Sequence, residues 1–265
     1  MEPSFLHNYT DSTEKSNEFW KIDVVGNSYS ITSGKIGTQG SIQFKIFESP
    51  EECAKEAEQL IRTKLEEGYW QVEGSENLIR PHAMNEEEFW KLLETAKTMG
   101  IDMEEQVEWL IRTLSGRSVR EIVEFDVWLH SFHYASCQSS LWAAAYIILG
   151  GCSDDSFDYF RAWLIYAGKE VYNRALQDPE SLIPVLEKLE DYEYPEYEDL
   201  LYAASDAYQE KTGRNDDDYQ ELFEQITGGL LDYPEIELDW EQDDEEHLRN
   251  RFPKLWERYG EYPMG

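Results

Sequence analysis

Four charged residues near the middle of the chain have the types and spacing that a reactive site requires. Asp154, Asp158 and Arg161 recur at i, i+4 and i+7, which places them on one face of a helix. Two close carboxylates could hold a cation, or one of them could act as an acid with a raised pKa. Arg161 beside them favours plain charge neutralisation instead. We therefore treat Asp154, Asp155, Asp158 and Arg161 as a candidate polar site and assign no catalytic residue.

A histidine pair on a predicted helix has the spacing of metal ligands. His130 and His133 stand at i and i+3, and Cys137 follows His133 at i+4. That spacing suits zinc, but no fourth ligand forms an obvious motif with these residues. The sequence also lacks a His-Glu-x-x-His pair, a P-loop, a Gly-x-Ser-x-Gly elbow and a dinucleotide fingerprint. We therefore predict no metal and no cofactor.

The segment that carries the candidate polar site also has the pattern of a helix hairpin. The run from Leu141 to Gly151 is apolar on every side, which is typical of a helix in the middle of a core. Gly150 and Gly151 mark a sharp break, and Ser153 then caps a second helix whose first acids face the positive end of its dipole. We expect the larger domain to be built on this helix pair.

The acidic composition limits the classes of partner. The chain has 56 Asp plus Glu against 23 Lys plus Arg, a net charge of -33. Such a surface repels nucleic-acid phosphates and anionic lipid headgroups, and it favours basic proteins or divalent cations. The alternative is that the charge serves solubility alone. We expect a basic protein partner rather than DNA or a membrane.

The sequence pattern predicts a cytoplasmic protein. Three cysteines, Cys53, Cys137 and Cys152, form no Cys-x-x-Cys pair, which fits a reducing compartment. The first twenty residues have neither the basic nor the apolar region of a signal peptide. The longest apolar run, Leu141 to Gly151, is too short to span a bilayer.

The first eighty residues have the pattern of a small antiparallel sheet covered by one helix. Residues 1–18 are polar, and we assign them to a flexible lead-in. Three segments are rich in β-branched and aromatic residues or alternate with period two, which predicts strands at 19–25, 29–33 and 42–47. A helix begins after Ser49, because serine caps it and Pro50 suits its first position, and it ends near Gly68.

Three motifs follow one another in this region. They are Gly34, Ile36-Gly37-Thr38-Gln39-Gly40 and Lys64-Leu65-Glu66-Glu67-Gly68-Tyr69. With them, residues 19–74 resemble the WGR domain, and that resemblance implies a turn that contacts DNA or neighbouring domains. The chain departs from the family at this turn, because Ser33 replaces the name-giving tryptophan and Lys35 replaces the arginine.

We expect DNA binding by this turn to be weak or absent. Serine has no ring to stack on a base, and lysine is a point charge where arginine offers a planar fork. Residues 1–82 hold eight basic and fourteen acidic residues, whereas a DNA-binding module needs a basic face. The candidate nucleic-acid or partner-binding residues are Lys21, Ser33, Lys35 and Lys45. The alternative is that these lysines keep the strand edges soluble.

From residue 84 onward the hydrophobic spacing is helical. We expect residues 84–262 to form an all-α domain after a linker at 75–83, because no strand-like alternation follows. The three characteristic motifs here are Met84-Asn85-Glu86-Glu87-Glu88-Phe89-Trp90, the segment from Leu141 to Ile148, and the segment from Gly150 to Ile165. With them the domain resembles the bacterial family catalogued as domain of unknown function 4240, and that resemblance implies no settled activity.

Acidic runs with interleaved tyrosines mark the chain after residue 187. The runs cover residues 187–199, 215–218 and 235–246, and the tyrosines are Tyr192, Tyr194, Tyr197, Tyr202 and Tyr208. Acid and tyrosine on one surface suit the binding of a basic protein. The alternative is a solvated helical face whose tyrosines pack inward.

These patterns together predict a non-enzymatic cytoplasmic interaction or regulatory protein. Its fold is expected to be α+β, with a small sheet-plus-helix module followed by a larger all-α domain. Both parts would bind protein partners. A first alternative is an immunity or inhibitor protein that masks a basic toxin. A second alternative is an enzyme that uses the face formed by Asp154, Asp158 and Arg161.

Overall fold

The computed structural model of the protein describes most of the chain. The described segments are residues 4–8, 18–25, 27–35, 41–47, 49–67, 69–71, 84–189, 193–227, 236–241 and 244–264. The predicted linker at 75–83, the glycine-bearing motif at 36–40, the side chain of Lys35 and Tyr192 lie outside the described residues.

The N-terminal part is one antiparallel sheet with a helix packed on it. The strands are β1 (Ser4–Asn8), β2 (Glu18–Val25), β3 (Ser28–Lys35), β4 (Ser41–Ile46) and β5 (Trp70–Gln71), in the spatial order β4-β3-β2-β1-β5. Helix α1 (Pro50–Glu66) begins at Ser49, whose side chain accepts from the Glu52 amide. The core of this part joins Trp20, Ile22, Tyr29 and Ile31 of the sheet to Cys53 and Ala57 of α1.

Strand β1 corrects the prediction that residues 1–18 are a flexible lead-in. Residues 4–8 pair with β2 on one side and with β5 on the other, so they lie inside the sheet. Five residues between polar stretches show too little period-two alternation to be recognised as a strand. Their place depends instead on backbone hydrogen bonds to partners that are distant in sequence.

The rest of the described chain is helical, and it contains no strand. The helices are α2 (Glu86–Ala96), α3 (Met103–Ser115), α4 (Val119–Ala135), α5 (Ser139–Leu149), α6 (Asp154–Ala167), α7 (Lys169–Gln177), α8 (Ile183–Leu186), α9 (Asp199–Thr212), α10 (Asp216–Thr227), α11 (Glu245–Arg251) and α12 (Pro253–Tyr259), with a 3₁₀ turn at Pro179–Leu182. A sheet-plus-helix module followed by a larger all-helical region confirms the predicted α+β class. None of the helices described is long and apolar enough to cross a membrane.

Side-chain caps fix where several of these helices begin. Asn85 accepts from the Glu88 amide at 2.9 Å, which starts α2. Ser118 and Glu121 form a reciprocal capping box at the start of α4. Such caps satisfy amide groups that the first helical turn leaves without partners, and each is worth about 1 kcal/mol.

Helices α5 and α6 form the predicted hairpin at the centre of the core. Leu141, Ala144 and Ile148 of α5 are fully buried. Gly150 ends α5 with φ 73°, a left-handed conformation that glycine adopts at low cost. The C-terminal segment packs on this turn, because the Met264 amide donates to the Ile148 carbonyl at 2.8 Å. The central hairpin is therefore confirmed, with Gly150 at its turn.

Candidate functional site

Arg161 is buried, and the protein itself holds its guanidinium. The side chain is 3% exposed and pairs with the carboxylate of Asp158 on the same helix. Its Nη1 donates to the carbonyl of His133 at 2.7 Å, and its Nε donates to the carbonyl of Phe157 at 3.4 Å. The guanidinium carbon also lies 4.7 Å from the centre of the Phe157 ring. The side chain therefore links α6 to α4 and neutralises Asp158.

The remaining carboxylates of the candidate polar site have a different setting. Asp154 and Asp155 are exposed in the first turn of α6, where Ser153 caps the helix. Their charges complement the positive end of the helix dipole. The structure thus pairs Asp158 with Arg161 and leaves Asp154 and Asp155 facing solvent.

His133, one of the side chains considered as metal ligands, is enclosed by the protein. His133 is buried, and its Nε2 lies 3.0 Å from the carbonyl of Asp158. Because a carbonyl only accepts, Nε2 carries the proton. Burial, and then the charge of Arg161, lower the pKa of His133 well below its usual value, so the ring is neutral. Among the residues described, no group of three or more His, Cys, Asp and Glu side chains is arranged to hold a metal ion.

Lys21 and Lys45, the two candidate binding lysines of the WGR-like module whose side chains are described, are each paired with an acid. Lys21 contacts Asp23 at 2.6 Å, and Lys45 contacts Glu56 at 3.3 Å. Ser33 lies in β3 between Trp20 and Ser41, and its carbonyl accepts from the Ser41 hydroxyl at 3.2 Å. The two lysines therefore offer little net positive charge to a phosphate backbone.

Two tyrosines and two acids come together where α6 meets α9. The Tyr159 hydroxyl donates to Glu198 at 3.0 Å, and this bond is the main cause that raises the pKa of Tyr159 to about 12. Asp155 and Tyr202 lie close enough to raise that pKa further. Tyr202 is 52% exposed. We call the set of Asp155, Tyr159, Glu198 and Tyr202 the acidic tyrosine face.

The acidic tyrosine face continues along α9 towards α10. Asp199, Asp206 and Asp216 are exposed there. Burial, followed by the charges of Asp216 and Asp199, raises the pKa of Asp206 above its usual value. These carboxylates are therefore close enough to repel one another. Within the described parts of the chain, no salt bridge neutralises any of these three acids or Glu198.

The other predicted surface tyrosines divide between core and solvent. The Tyr197 hydroxyl donates to the carbonyl of Met103 at 2.6 Å, and Tyr208 is buried against Tyr219. Tyr194 is 49% exposed, which is similar to the 52% exposure of Tyr202. The inward-packing alternative thus describes Tyr197 and Tyr208, and the contact-surface prediction describes Tyr194 and Tyr202.

A cleft of about 610 Å³ lies between strand β2 and helices α2, α4 and α7. Its lining comprises Lys21, Asp23 and Val24 of β2, Asn85, Glu86, Glu87 and Trp90 at the start of α2, Trp128 of α4, and Lys169 of α7. Lys169 contacts Glu86 at 2.7 Å, just as Lys21 contacts Asp23. The structure therefore brings one sequence-predicted residue, Lys21, to a pocket that sequence reasoning did not anticipate.

Sequence reasoning missed Tyr159 as a site residue, its contact with Glu198, and the cleft beside Lys21, all for a common reason. Tyr159 and Glu198 are 39 positions apart, and no motif links them. The local signal that could have indicated Tyr159 is its position four residues after Asp155, on the same face of α6. Trp90 enters the sequence analysis only as the last residue of the motif at residues 84–90, and a tryptophan in a helix is more often a core residue than a ligand contact.

Two family profiles match the chain in consecutive regions. The profile described as "WGR domain" matches residues 4–76, and the profile described as "Protein of unknown function (DUF4240)" matches residues 84–210. The first region contains all five strands and α1. The second runs from the start of α2 into α9 and includes the central hairpin.

Three individual proteins are similar to parts of the chain. Uncharacterized protein YfeS of Escherichia coli (strain K12) is 48% identical over 56 residues, which cover 21% of this chain and 23% of the relative. Protein YehF of the same organism is 32% identical over 76 residues, 29% of this chain and 27% of the relative. A crystal structure of a Bacteroides fragilis protein is 26% identical, covers 38% of this chain and 30% of its own, and has a TM-score of 0.26.

The similarity to the two curated relatives is confined to short regions. The chain spans about a quarter of the length of each. The two family profiles, in contrast, follow one another along the chain in the predicted order. The chain thus carries a WGR domain at residues 4–76, followed by a DUF4240 domain at residues 84–210.

Proposed function

We propose that this chain is a non-enzymatic cytoplasmic interaction protein whose acidic tyrosine face binds a basic segment of a partner protein. One observation carries the proposal. Tyr159 and Tyr202 stand among Asp155 and Glu198, and no cation neutralises Glu198 within the described parts of the chain. Tyrosine supplies a large amphipathic contact area at low entropic cost, and the carboxylates attract a basic partner.

The setting of Arg161 argues against the alternative of an enzyme that uses this residue. A catalytic arginine must reach a reacting group. Arg161 is instead buried, and its guanidinium donates hydrogen bonds to Asp158, His133 and Phe157. We therefore assign Arg161 and Asp158 a positioning role for α6. Through this role they hold Asp155 and Tyr159 in place at the surface.

The division of the chain into domains is part of the same proposal. A WGR-like domain at 19–74, extended by β1, and an all-α domain at 84–262 would be joined by the linker at 75–83. The acidic tyrosine face belongs entirely to the second domain. Because Lys21 and Lys45 are paired with acids, we expect weak or no DNA binding by the first.

Affinity capture from the native host tests the acidic tyrosine face. The test variant combines Tyr202→Ser with Glu198→Gln. The matched control combines Tyr262→Ser with Glu257→Gln, which removes the same groups at exposed positions near the C-terminus. We expect mass spectrometry to find a basic protein that the wild type and the control retain, and that the test variant loses.

Two outcomes of the capture experiment would contradict the proposal. Equal retention by the test variant would place the interface elsewhere, and loss from both variants would indicate a nonspecific charge effect. A retained partner with toxic activity that this chain blocks would favour the inhibitor alternative.

A gel shift with nicked DNA at low salt, where electrostatic attraction is strongest, should show no complex.

A further inference from the structure

We propose that the cleft between β2 and helices α2, α4 and α7 binds a small organic cation that carries a hydrogen-bond acceptor. Its volume of about 610 Å³ lies within the range of small-molecule sites, about 300–1,000 Å³. Its walls come from both domains. A ligand there would contact the sheet and the helical bundle at once.

The charges of the cleft favour a cation. Two lysines face three acids, Asp23, Glu86 and Glu87. Both lysines are already neutralised, Lys21 by Asp23 and Lys169 by Glu86. Glu87 is exposed and has no salt bridge within the described parts of the chain. A carboxylate therefore remains available for a positively charged group.

The aromatic wall of the cleft favours the same class of ligand. Trp90 and Trp128 both line the cleft and both pack on Phe132, with ring centres 4.6 and 6.0 Å from it. The face of an indole ring attracts ammonium and guanidinium groups more strongly than any other side-chain ring. Aromatic surface beside an acid is thus suited to an organic cation rather than to a hydrated metal ion.

The indole of Trp90 adds a requirement for an acceptor. Trp90 is 5% exposed, and its Nε1 finds no hydrogen-bond partner among the residues described. In contrast, Trp128 Nε1 donates to the Met84 carbonyl at 3.3 Å. Since a buried donor without an acceptor is costly, we propose that a carbonyl oxygen on the ligand reaches Trp90 Nε1, which is enclosed in the free protein. Arginine and lysine derivatives with an amide carbonyl combine both features.

Nuclear magnetic resonance of the tryptophan indole groups tests the proposal on the full chain. The probe is L-argininamide, and the signals of Trp90 and Trp128 are identified from Trp90→Phe and Trp128→Phe. We expect saturable shifts of these two signals and none of Trp240, whose Nε1 donates to the Ser139 carbonyl outside the cleft. Glu87→Gln should weaken binding about tenfold, the effect of losing one charge contact.

Several results would overturn the proposal. No saturable shift up to ~10 mM L-argininamide, an affinity weaker than that of most specific sites, would exclude the site. Binding of inorganic phosphate instead would make the cleft an anion site, and unchanged affinity in Glu87→Gln would remove the charge argument. Glu87→Gln changes an exposed residue, so it keeps the test valid if Trp90→Phe fails to fold. A capped Ala-Arg-Ala peptide binding more tightly than L-argininamide would identify a polypeptide as the source of the cation.

Discussion

The guanidinium of Arg161 shows how a residue with the chemistry of a site can serve the fold. A buried charge is costly unless paired and hydrogen-bonded, and Arg161 obtains its partners from Asp158, from two carbonyls and from the Phe157 ring. The sequence spacing correctly places Asp158 and Arg161 on neighbouring turns of α6. It cannot show that the pair is turned towards α4, because that orientation depends on His133, 28 positions earlier.

Replacing Asp158 by asparagine should destabilise the protein. The change leaves the charge of Arg161 buried without compensation, so we expect the free energy of unfolding to fall by about 2–3 kcal/mol. This is below the range for a fully buried pair because the Asp158 side chain is 45% exposed. Urea denaturation measures the change. Asp155→Asn, an exposed neighbour, should stay within about 0.5 kcal/mol, and equal effects of the two variants would refute the positioning role.

His133 should make the protein less stable at mildly acid pH. Burial lowers the pKa of His133 in the folded state. At a pH below the usual pKa of histidine, the unfolded chain therefore binds a proton that the folded chain does not bind. Above pH ~6.5 the histidine is neutral in both states and does not change the free energy of unfolding. Below that pH, the free energy of unfolding falls by up to about 1.4 kcal/mol for each pH unit. His133→Gln removes this dependence.

The measurement for His133 is the difference in unfolding free energy between wild type and His133→Gln from pH 7 to pH 5. The difference between two proteins is needed because the many carboxylates impose a pH dependence of their own. His247→Gln, at an exposed position of α11, is the control for the loss of a histidine that is not buried. A difference for His133→Gln that does not change with pH would mean that this histidine charges freely in the folded state.

At the scale of the elements, the turn between α5 and α6 combines two separate constraints. Gly150 has φ 73°, and a Cβ atom added there would lie 2.6 Å from Cγ of Pro263. The pattern of an apolar run ending at two glycines predicts the turn, because glycine tolerates left-handed backbone. The contact with Pro263 is 113 positions away in the chain and has no sequence signal.

Gly150→Ala and Gly213→Ala separate these two constraints. Both glycines end helices at nearly the same φ, 73° and 71°, but nothing lies within 4 Å of the added Cβ at Gly213. We expect Gly213→Ala to cost about 1 kcal/mol for backbone strain alone. Gly150→Ala should cost about 1–3 kcal/mol more, the range for overpacking. Thermal denaturation of both variants measures the two losses of stability. Equal losses would mean that the Pro263 segment moves away freely.

The helices and strands of this protein are largely predictable from the sequence, but the contacts between distant helices and strands are not. Cap residues such as Asn85 and Ser118, together with helical spacing, place the helices of the all-α part. The acidic tyrosine face needed Tyr159 and Glu198 to meet across 39 residues, and the cleft needed β2 to face α2. Local propensity acts within a few residues, whereas these sites depend on packing between elements.

At the scale of the whole molecule, the net charge of -33 acts against compactness. Repulsion among 56 acidic side chains favours the expanded chain, and dissolved ions screen it over about 10 Å at 0.1 M salt. The concentration of exposed acids on α9 and α10 makes the helical part the main source of this repulsion. The same field would attract a basic partner from solution.

Salt should therefore stabilise this protein. Raising NaCl from about 20 mM to about 200 mM is expected to raise the Tm by about 2–4 °C, which corresponds to roughly 1 kcal/mol for a chain of this size. Differential scanning calorimetry measures the shift, and KCl at equal ionic strength should reproduce it. A Tm that stays constant or falls would show that attractive ion pairs outweigh the repulsion.

The position of β1 determines the order in which the sheet can assemble. Strands β2, β3 and β4 are joined by short connections and can pair as soon as they are synthesised. Strand β5, in contrast, pairs with β1, so the second edge of β1 is filled only after residues 70 and 71 have been synthesised. Closing that distance is slow compared with closing a hairpin. During this interval the open edge of β1 is a template for pairing with another chain, which makes the WGR domain the aggregation-sensitive part of the molecule as it folds.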